Sequence, residues 1–153
     1  MEKKIKIREA SIEDAKTLDE MLTRLIRHEA NYDKNLNDQS VVKDNYKERI
    51  GVEGHKIFVA EEEGRIIGFL YGFVYGIPDM WKEPIAILDA LFVDEQYRGK
   101  GCAHMLFEEF RKFACRSGVC RIELKVISEN ADALRLYQKL EFVETKKYMS
   151  LVL

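Results

Sequence analysis

Two glycines beside two basic residues form a stretch whose composition suits the binding of an anion. The stretch is Gln96-x-x-Gly99-x-Gly101, with Arg98 and Lys100 between its fixed positions. Glycine lacks a Cβ atom, so the backbone at these positions can approach a bulky phosphate closely. The two basic side chains add positive charge. An ordinary strand-to-helix turn has the same composition, so this pattern alone leaves phosphate binding and a plain turn open.

The elements on either side of the turn favour the anion site. The apolar run Ile85–Val93 is interrupted only by Asp89, which predicts a buried strand. The first N–H groups of a helix have no partner within it and carry partial positive charge. After the turn, apolar residues recur at helical spacing. They are Ala103, Leu106, Phe107, Phe110, Phe113 and Ala114.

Two common phosphate-binding motifs do not fit the turn. The mononucleotide P-loop needs Ser or Thr after its Gly-Lys pair, and here Gly101 is followed by Cys102. The dinucleotide fingerprint needs a third glycine, and that position is His104. The remaining Q-x-x-G-x-G pattern resembles the pyrophosphate-binding signature of the GNAT superfamily of acyl-CoA N-acyltransferases.

A second motif carries the same resemblance independently. Residues 128–142 are similar to the N-x-x-A-x-x-x-Y-x-K-x-G-F element of that superfamily. The matching residues are Asn130, Ala133, Tyr137, Lys139 and Phe142. Glu141 stands where the family usually has glycine, and a non-glycine residue at positive φ at the end of this helix costs about 1 kcal/mol. The resemblance covers roughly residues 57–145 by its motifs and the preceding residues only by element order.

The resemblance implies transfer of an acyl group, usually acetyl, from CoA to an amine. In the family a bulged central strand pairs with pantetheine, and the glycine turn holds the pyrophosphate. The asparagine binds the pantetheine arm or stabilises the separation of the two strands. The tyrosine faces the thioester sulfur. The residues given these roles are Leu91, Phe92 and Val93 on the strand, Arg98, Gly99, Lys100, Gly101, Cys102 and Ala103 in the turn, and Asn130 and Tyr137.

Three of the candidate residues have structural interpretations as well. Asn130 suits the N-cap of its helix, alone or together with cofactor contact. Tyr137 is either a half-buried aromatic or the general acid to the leaving thiolate, because a phenol of pKa about 10 can protonate or hydrogen-bond a thiolate of pKa about 8–9. Asp89 either pairs with a lysine or arginine or faces the acceptor as a base or cation holder. A bulge in its strand would turn it toward the acceptor side.

Composition limits the class of protein. The 153 residues predict one domain over residues 1–153, and a net charge of −2 from 25 basic and 27 acidic residues argues against a nucleic-acid groove or a polybasic membrane surface. No signal peptide or transmembrane run is found. Three cysteines without a Cys-x-x-Cys pair indicate reduced thiols in a cytoplasm, and three scattered histidines predict no metal site.

The order of predicted elements is β-α-α-β-β-β-α-β-α-β-β. It describes a mixed α/β sheet of about seven strands flanked by about four helices, the GNAT-like architecture. Strands are predicted at 4–8, 57–62, 66–75, 85–93, 121–126, 142–145 and 147–151. Helices are predicted from Ser11, over Ser40–Arg49, from Ala103 to a cap at Gly118, and over Ala131–Leu140.

The functional prediction is an acetyl-CoA-dependent N-acetyltransferase that acts by direct attack of a primary amine in a ternary complex, without a metal. A catalytically inactive acyl-CoA-binding regulatory module is the alternative, and a nucleotide-binding module is the third. A homodimer and the acceptor's identity, whether small amine, polyamine or peptide, stay open. Tyr32, Tyr75 and Trp81 are candidates for the acceptor pocket. Clustered acidic side chains favour a cationic acceptor: Glu20, Glu29, Asp33, Asp79 and Glu83.

Overall fold

A five-stranded sheet and three α-helices make up the fold in residues 4–153, the part of the chain that this computed structural model describes. The strands are β1 (Lys6–Glu9), β2 (His55–Glu62), β3 (Arg65–Tyr75), β4 (Ile85–Val93) and β5 (Ile122–Glu123). The helices are α1 (Ala15–Glu29), α2 (Cys102–Arg116) and α3 (Ala131–Lys139). Short 3-10 helices occupy Ile12–Asp14, Tyr46–Glu48 and Glu95–Tyr97.

The sheet is mixed, as predicted, and has helices on both faces. Its order is β1-β2-β3-β4-β5, antiparallel as far as β4 and parallel between β4 and β5. Parallel neighbours need a crossover, which here is α2. One buried apolar cluster joins α2 to the sheet, with Leu106 and Phe110 at its centre. The other joins α1 to the opposite face through Leu18 and Met21.

Strand β4 contains the bulge that the resemblance required, at Asp89. Opposite β4, Tyr71 pairs with Ala90 and the next residue, Gly72, pairs with Leu88. Asp89 is therefore the extra residue on β4. The bulge shifts the alternation of side chains, because Leu88 belongs to the cluster on the α2 face whereas Ala90 belongs to the cluster on the α1 face. In a regular strand two residues so spaced would share a face.

Strands β4 and β5 separate soon after they begin. They pair only through Ala86 with Ile122 and Ile87 with Glu123. From Leu88 onward, β4 has no strand partner on this side among the described residues. The carboxyl half of β4 consequently presents backbone groups to an opening between the two strands.

The predicted helix over Ser40–Arg49 is wrong, apart from the 3-10 helix Tyr46–Glu48. Side chains of α1 bind the backbone N–H groups of this segment. The carboxylate of Asp19 accepts hydrogen bonds from the N–H groups of Asn45 (3.3 Å) and Tyr46 (3.1 Å), and Thr23 Oγ1 accepts one from Val42 (2.9 Å). These bonds tie the segment to α1 as an irregular loop, because the N–H groups no longer need helical carbonyls.

The prediction of about seven strands and four helices is also too high at the C-terminal end. β5 spans two residues rather than 121–126, and residues 142–145 and 147–151 are not strands. Strands require a neighbour that accepts their backbone hydrogen bonds. No backbone hydrogen bond of residues 143–153 to another part of the described chain is formed, and most of their side chains are exposed.

Helix α3 ends in a two-bond motif despite the missing glycine. Phe142 donates from its N–H to the carbonyl of Tyr137 (2.9 Å), and Glu141 donates to Gln138 (3.0 Å). This is the Schellman arrangement, and it places Glu141 in the left-handed region with φ 71°. The ring of Phe142 packs edge-on against Tyr137 at 5.9 Å.

Replacing Glu141 with glycine should stabilise the fold. The left-handed conformation costs a residue with a Cβ atom about 1 kcal/mol, whereas glycine adopts it freely, and glycine gains flexibility in the unfolded chain that offsets part of the benefit. Urea unfolding of Glu141→Gly should show a free energy of unfolding higher by up to about 1 kcal/mol. Glu141→Ala keeps the strain and is the control. An equal gain from both variants would contradict the assignment.

Neither a membrane-spanning helix nor a metal cluster is found in residues 4–153. No helix there is long and apolar enough to cross a bilayer. No group of three or more His, Cys, Asp or Glu side chains is placed to hold a metal ion there. All three cysteines are free, with Cys102 buried and Cys115 and Cys120 exposed.

Candidate active site

The glycine turn leads into α2 with both glycines in the left-handed region. Gly99 has φ 76° and Gly101, the N-cap of α2, has φ 81°. A Cβ atom at either position would meet nothing within 4 Å, so the backbone faces open space. The first helical hydrogen bond runs from Met105 to Gly101 (3.0 Å), which leaves the N–H groups of Cys102 and the next two residues without an acceptor in the helix.

The two basic residues of the turn are placed differently. Arg98 Nε donates to the carbonyl of Val93 at 2.9 Å, and its guanidinium lies 5.9 Å from the centre of the Phe92 ring. Lys100 is exposed, with its ammonium 5.5 Å from the ring of Tyr97. Arg98 therefore fastens the turn to the end of β4, while Lys100 is free to meet an anion.

The strand residues assigned to pantetheine line the opening between β4 and β5. Leu91 is half-buried, and Phe92 and Val93 are buried. Their side chains pack into the two apolar clusters. Any polar contact at this edge must then be made by the backbone of β4.

Asn130 is the N-cap of α3. Its side chain is buried, and Oδ1 accepts a hydrogen bond from the N–H of Ala133 at 3.2 Å. The structural interpretation of Asn130 is thus correct. Contact with a cofactor stays a prediction beside it.

Tyr137 lies on α3 with its hydroxyl unbonded to any described residue. Burial raises the pKa of Tyr137 to about 12, and the negative charge of Glu29 contributes in the same direction. This phenol stays protonated at any neutral working pH. It can donate a hydrogen bond but cannot act as a base.

Asp89 projects from the bulge and is exposed to solvent. It forms no hydrogen bond or ion pair with any residue in the described part of the chain, so the alternative in which Asp89 pairs with a lysine or arginine is not observed there. Surrounding protein raises the pKa of Asp89 through desolvation, and the charges of Arg49 and Lys125 partly lower it. A carboxylate so placed is available to bind or deprotonate an incoming group.

Glu29 is the residue that the sequence did not single out from its acidic cluster. It ends α1 and is half-buried. Desolvation raises the pKa of Glu29, and the charges of Asp89 and Asp33 raise it further. The other members of the predicted cluster, Glu20, Asp79 and Glu83, are exposed elsewhere on α1 and in the loop before β4. No sequence spacing could place Glu29 near Asp89, because 60 residues separate them.

Removing the charge of Glu29 should stabilise the protein near neutral pH. A carboxyl whose pKa is higher in the folded state destabilises that state once pH rises through the folded pKa, and has no effect below its unfolded pKa. Like-charge neighbours cost about 0.2–0.5 kcal/mol each. Urea unfolding of Glu29→Gln should show a gain of that size at pH 7 that vanishes in acid. Glu20→Gln, on the exposed face of the same helix, should show none; the same gain there would contradict the explanation.

One buried aromatic residue, Tyr46, has a hydroxyl group without a partner. Tyr46 is 1% exposed, and its hydroxyl has no hydrogen-bond partner. Its ring packs edge-on against Phe69 and Tyr71, each at 5.4 Å. Burial raises the pKa of Tyr46, and so does the charge of Asp89. Tyr71 has a partner, since its hydroxyl lies 2.7 Å from His55 Nδ1.

The other aromatic candidates lie apart from one another. Tyr32 contacts His28 at 5.7 Å beyond the end of α1. Tyr75 contacts Trp81 at 5.4 Å, beside a cavity of about 510 Å³. A second cavity, of about 340 Å³, borders Gly51–Ile57. Neither cavity is lined by the glycine turn, Asp89 or Tyr137, so neither one is the candidate site.

Comparison with known proteins gives the family. The model of the acetyltransferase (GNAT) family matches residues 20–142, which is most of the chain. The chain belongs to the GNAT family. Both motifs of the sequence analysis lie within the matched region, so the predicted resemblance is confirmed.

Individual GNAT proteins resemble the chain over different lengths. The spermine/spermidine N(1)-acetyltransferase of Bacillus subtilis is 33% identical over 82 residues, which cover 52% of this chain and 54% of that protein. The chain spans about 38–59% of the length of the curated relatives it matches.

Solved structures show the same fold at low identity. A mutant of the BH1408 protein from Bacillus halodurans superposes with a TM-score of 0.87 at 22% identity, covering 97% of this chain and 99% of that one. The aminoglycoside N-acetyltransferase AAC(6')-Iy in complex with CoA superposes with a TM-score of 0.77 at 18% identity, covering 99% and 96%.

Proposed function

We propose that this GNAT protein is an acetyl-CoA-dependent N-acetyltransferase that acetylates a primary amine carrying further positive charge. The observation that supports it most is the meeting of three features. The glycine turn precedes α2, and within residues 4–153 β4 is unpaired on the β5 side from Leu88 onward. Asp89 projects from this unpaired part of β4, and Tyr137 packs against the same apolar cluster as Leu91. Glu29 is coupled electrostatically to both residues, because its charge raises the pKa of Tyr137 and the charge of Asp89 raises the pKa of Glu29.

The donor would lie along β4 with its pyrophosphate at the turn. The free N–H groups at the start of α2 and the ammonium of Lys100 would bind the pyrophosphate, and the backbone of Leu91–Val93 would pair with the pantetheine arm. The fit is supported by the open space at Gly99 and Gly101 and by the unpaired edge of β4. Acetyl-CoA supplies an acetyl group activated as a thioester.

Two proton transfers accompany the reaction, and residues of this chain would accept one proton and supply the other. Asp89, directly or through water, would accept the proton that the amine loses as its nitrogen bonds to the acetyl carbon. Tyr137 would donate its proton to the sulfur as the carbon–sulfur bond breaks, and the proton taken up by Asp89 would replace it by way of solvent. No covalent intermediate with the protein is needed. The products are the N-acetylated amine and the CoA thiol.

The acceptor class follows from charge. The charge of Asp89 raises the pKa of the Glu29 carboxyl and of the buried Tyr46 hydroxyl, and a cationic ligand beside Asp89 and Glu29 would relieve the repulsion between these two carboxylates. Relatives are named for spermine and spermidine or are aminoglycoside acetyltransferases, and these compounds carry several amino groups. Turnover of a panel of diamines, polyamines and monoamines, followed by thiol release, tests the class. CoA binding without turnover of any amine would indicate a binding module instead.

Binding of CoA is the first test of the donor site. At about 100 times its dissociation constant, CoA should add roughly 2.7 kcal/mol, or on the order of 5–10 °C in melting temperature. Gly101→Val should abolish this shift, because a branched side chain would enter the space of the pyrophosphate. Gly118→Val is the matched control, since Gly118 also has positive φ (71°) and open space at the far end of α2.

Both valine variants suffer the same backbone strain and should lose similar stability without ligand. Only Gly101→Val should lose the response to CoA. An unchanged response in Gly101→Val, or no shift of the unsubstituted protein at millimolar CoA, would contradict the proposed donor site.

A further inference from the structure

Tyr46 carries the one buried side-chain polar atom that finds no partner within residues 4–153. Its hydroxyl oxygen is closed to solvent and forms no hydrogen bond there. The contacts of Tyr46 with Phe69 and Tyr71 are made by its ring, and a phenylalanine ring would make them equally well. An unsatisfied buried hydroxyl costs free energy, so packing does not explain why this residue is a tyrosine. The explanation must lie in a state of the protein other than the free one.

Asp89 lies on the same face of the sheet as Tyr46. Leu88 packs into the cluster on the α2 face, so the alternation of side chains places Asp89 on the α1 face. The bulge then keeps Ala90 on the α1 face as well. Tyr71 stands opposite Ala90, and its ring packs against that of Tyr46 at 5.4 Å. The carboxyl group of Asp89 and the unpaired hydroxyl are therefore neighbours on one face of the sheet.

Asp89 is faced by charged or titratable groups on several elements. They are Glu29 of α1, Tyr46 and Arg49 before β2, Tyr71 of β3 and Lys125 after β5. Two of the donors are engaged elsewhere. Arg49 Nη1 donates to the carbonyl oxygen and to Oδ1 of Asn45, at 2.7 and 2.8 Å, and the Tyr71 hydroxyl pairs with His55 Nδ1 at 2.7 Å. The hydroxyl of Tyr46 is a neutral donor on this face with no other engagement in the described chain.

We propose that Tyr46 is a positioning residue for Asp89: when the acetyl donor and the amine occupy the opening, the Asp89 carboxylate turns inward and accepts a hydrogen bond from the Tyr46 hydroxyl. This inference rests on the proposed role of Asp89 as the base. The turn breaks no contact, because the carboxylate is exposed and unpaired in residues 4–153 of the free protein.

Loss of water gives the carboxylate a reason to turn. Bound ligands displace water from Asp89, and a carboxylate that leaves water is costly unless protein donors replace the lost hydrogen bonds. Tyr46 supplies one such donor, so two unpaired groups are satisfied together. A hydrogen bond donated to a carboxylate also favours its charged form, which counters the desolvation that raises the pKa of Asp89. The base is thereby kept deprotonated and aimed at the amine.

Tyr46→Phe tests the proposal, because it keeps the ring and removes only the hydroxyl. At the pH optimum, kcat should fall about 10-fold, since the base is no longer held in place. The acidic limb of the pH–rate profile should move to higher pH by about one unit, because the carboxylate has lost a donor. The melting temperature of the free protein should not fall, because the hydroxyl has no partner there to lose.

Tyr71→Phe is the matched control on the same face. It removes a hydroxyl that is already paired with His55, so the melting temperature should fall by roughly 2–4 °C. The acidic limb should stay where it is. The reverse pattern, with the limb moved by Tyr71→Phe and the melting temperature lowered by Tyr46→Phe, would overturn the proposal.

A double-mutant cycle tests whether Tyr46 acts through Asp89. In the Asp89→Asn background, Tyr46→Phe should have no further effect on kcat, because the base that it positions is gone. If Asp89→Asn lowers kcat, this inference alone is overturned by an unmoved acidic limb in Tyr46→Phe, or by a 10-fold loss that persists in the Asp89→Asn background. If Asp89→Asn leaves kcat unchanged, the proposed role of Asp89 fails and the inference fails with it.

Discussion

Tyr137→Phe is expected to lower kcat by about 10²–10⁴-fold, the range that general-acid help supplies. The substitution removes one hydroxyl and keeps the ring that packs against Phe142. Binding of CoA and the melting temperature should therefore change little. Steady-state kinetics with a saturating amine, together with the CoA-induced thermal shift, measure both quantities.

The pH profile separates a hydrogen-bond donor from other roles of this tyrosine. A phenol with a pKa of about 12 keeps its proton throughout the assay range, so the unsubstituted enzyme should show no basic limb from Tyr137. If kcat of Tyr137→Phe is unchanged while chemistry is rate-limiting, the thiolate leaves without help from this residue, and Tyr137 is structural.

Asp89→Asn is expected to lower kcat by about 10²-fold and to remove the acidic limb of the pH–rate profile. A base is active when deprotonated, and desolvation raises the pKa of Asp89, so activity should fall as pH drops through a value above the usual aspartate range. Melting temperature near neutral pH should not decrease, because the carboxylate has no partner in residues 4–153 to lose.

The same variant distinguishes the two functional roles left open for Asp89. A carboxylate that only holds a cation would raise KM for the amine and leave the acidic limb in place. Asp38→Asn, in an exposed loop, is the control and should alter neither parameter. A lower melting temperature of Asp89→Asn with intact kinetics would remove Asp89 from the site.

The sequence predicts best where one face of a segment is buried by the chain's own core. The bounds of β4 come from an apolar run that both clusters cover, and α2 follows from its apolar spacing. The bulge at Asp89 is expected from the family resemblance, whereas the apolar run alone indicates only that a buried charge there would need a reason. The glycine turn is also predictable from local sequence, because positive φ favours glycine.

Predictions fail where the deciding partner is distant in sequence. Asp19 binds the N–H groups of Asn45 and Tyr46, and this contact replaces a helix with a loop. Val143 and its neighbours have strand-forming side chains but no strand beside them within the chain. The pKa of Glu29 is raised in part by the charge of Asp89, which lies on another element. Local propensity carries no information on any of these contacts.

The bulge in β4 also bears on how such a protein can change during evolution. Leu88 and Ala90 are constrained because each packs into a cluster, whereas Asp89 between them belongs to neither cluster and is exposed. Substitutions at this one position therefore cost the fold little. If Asp89 is the base, a change at this position removes activity while it leaves the fold intact, so function rather than stability restricts which residue can stand at the bulge.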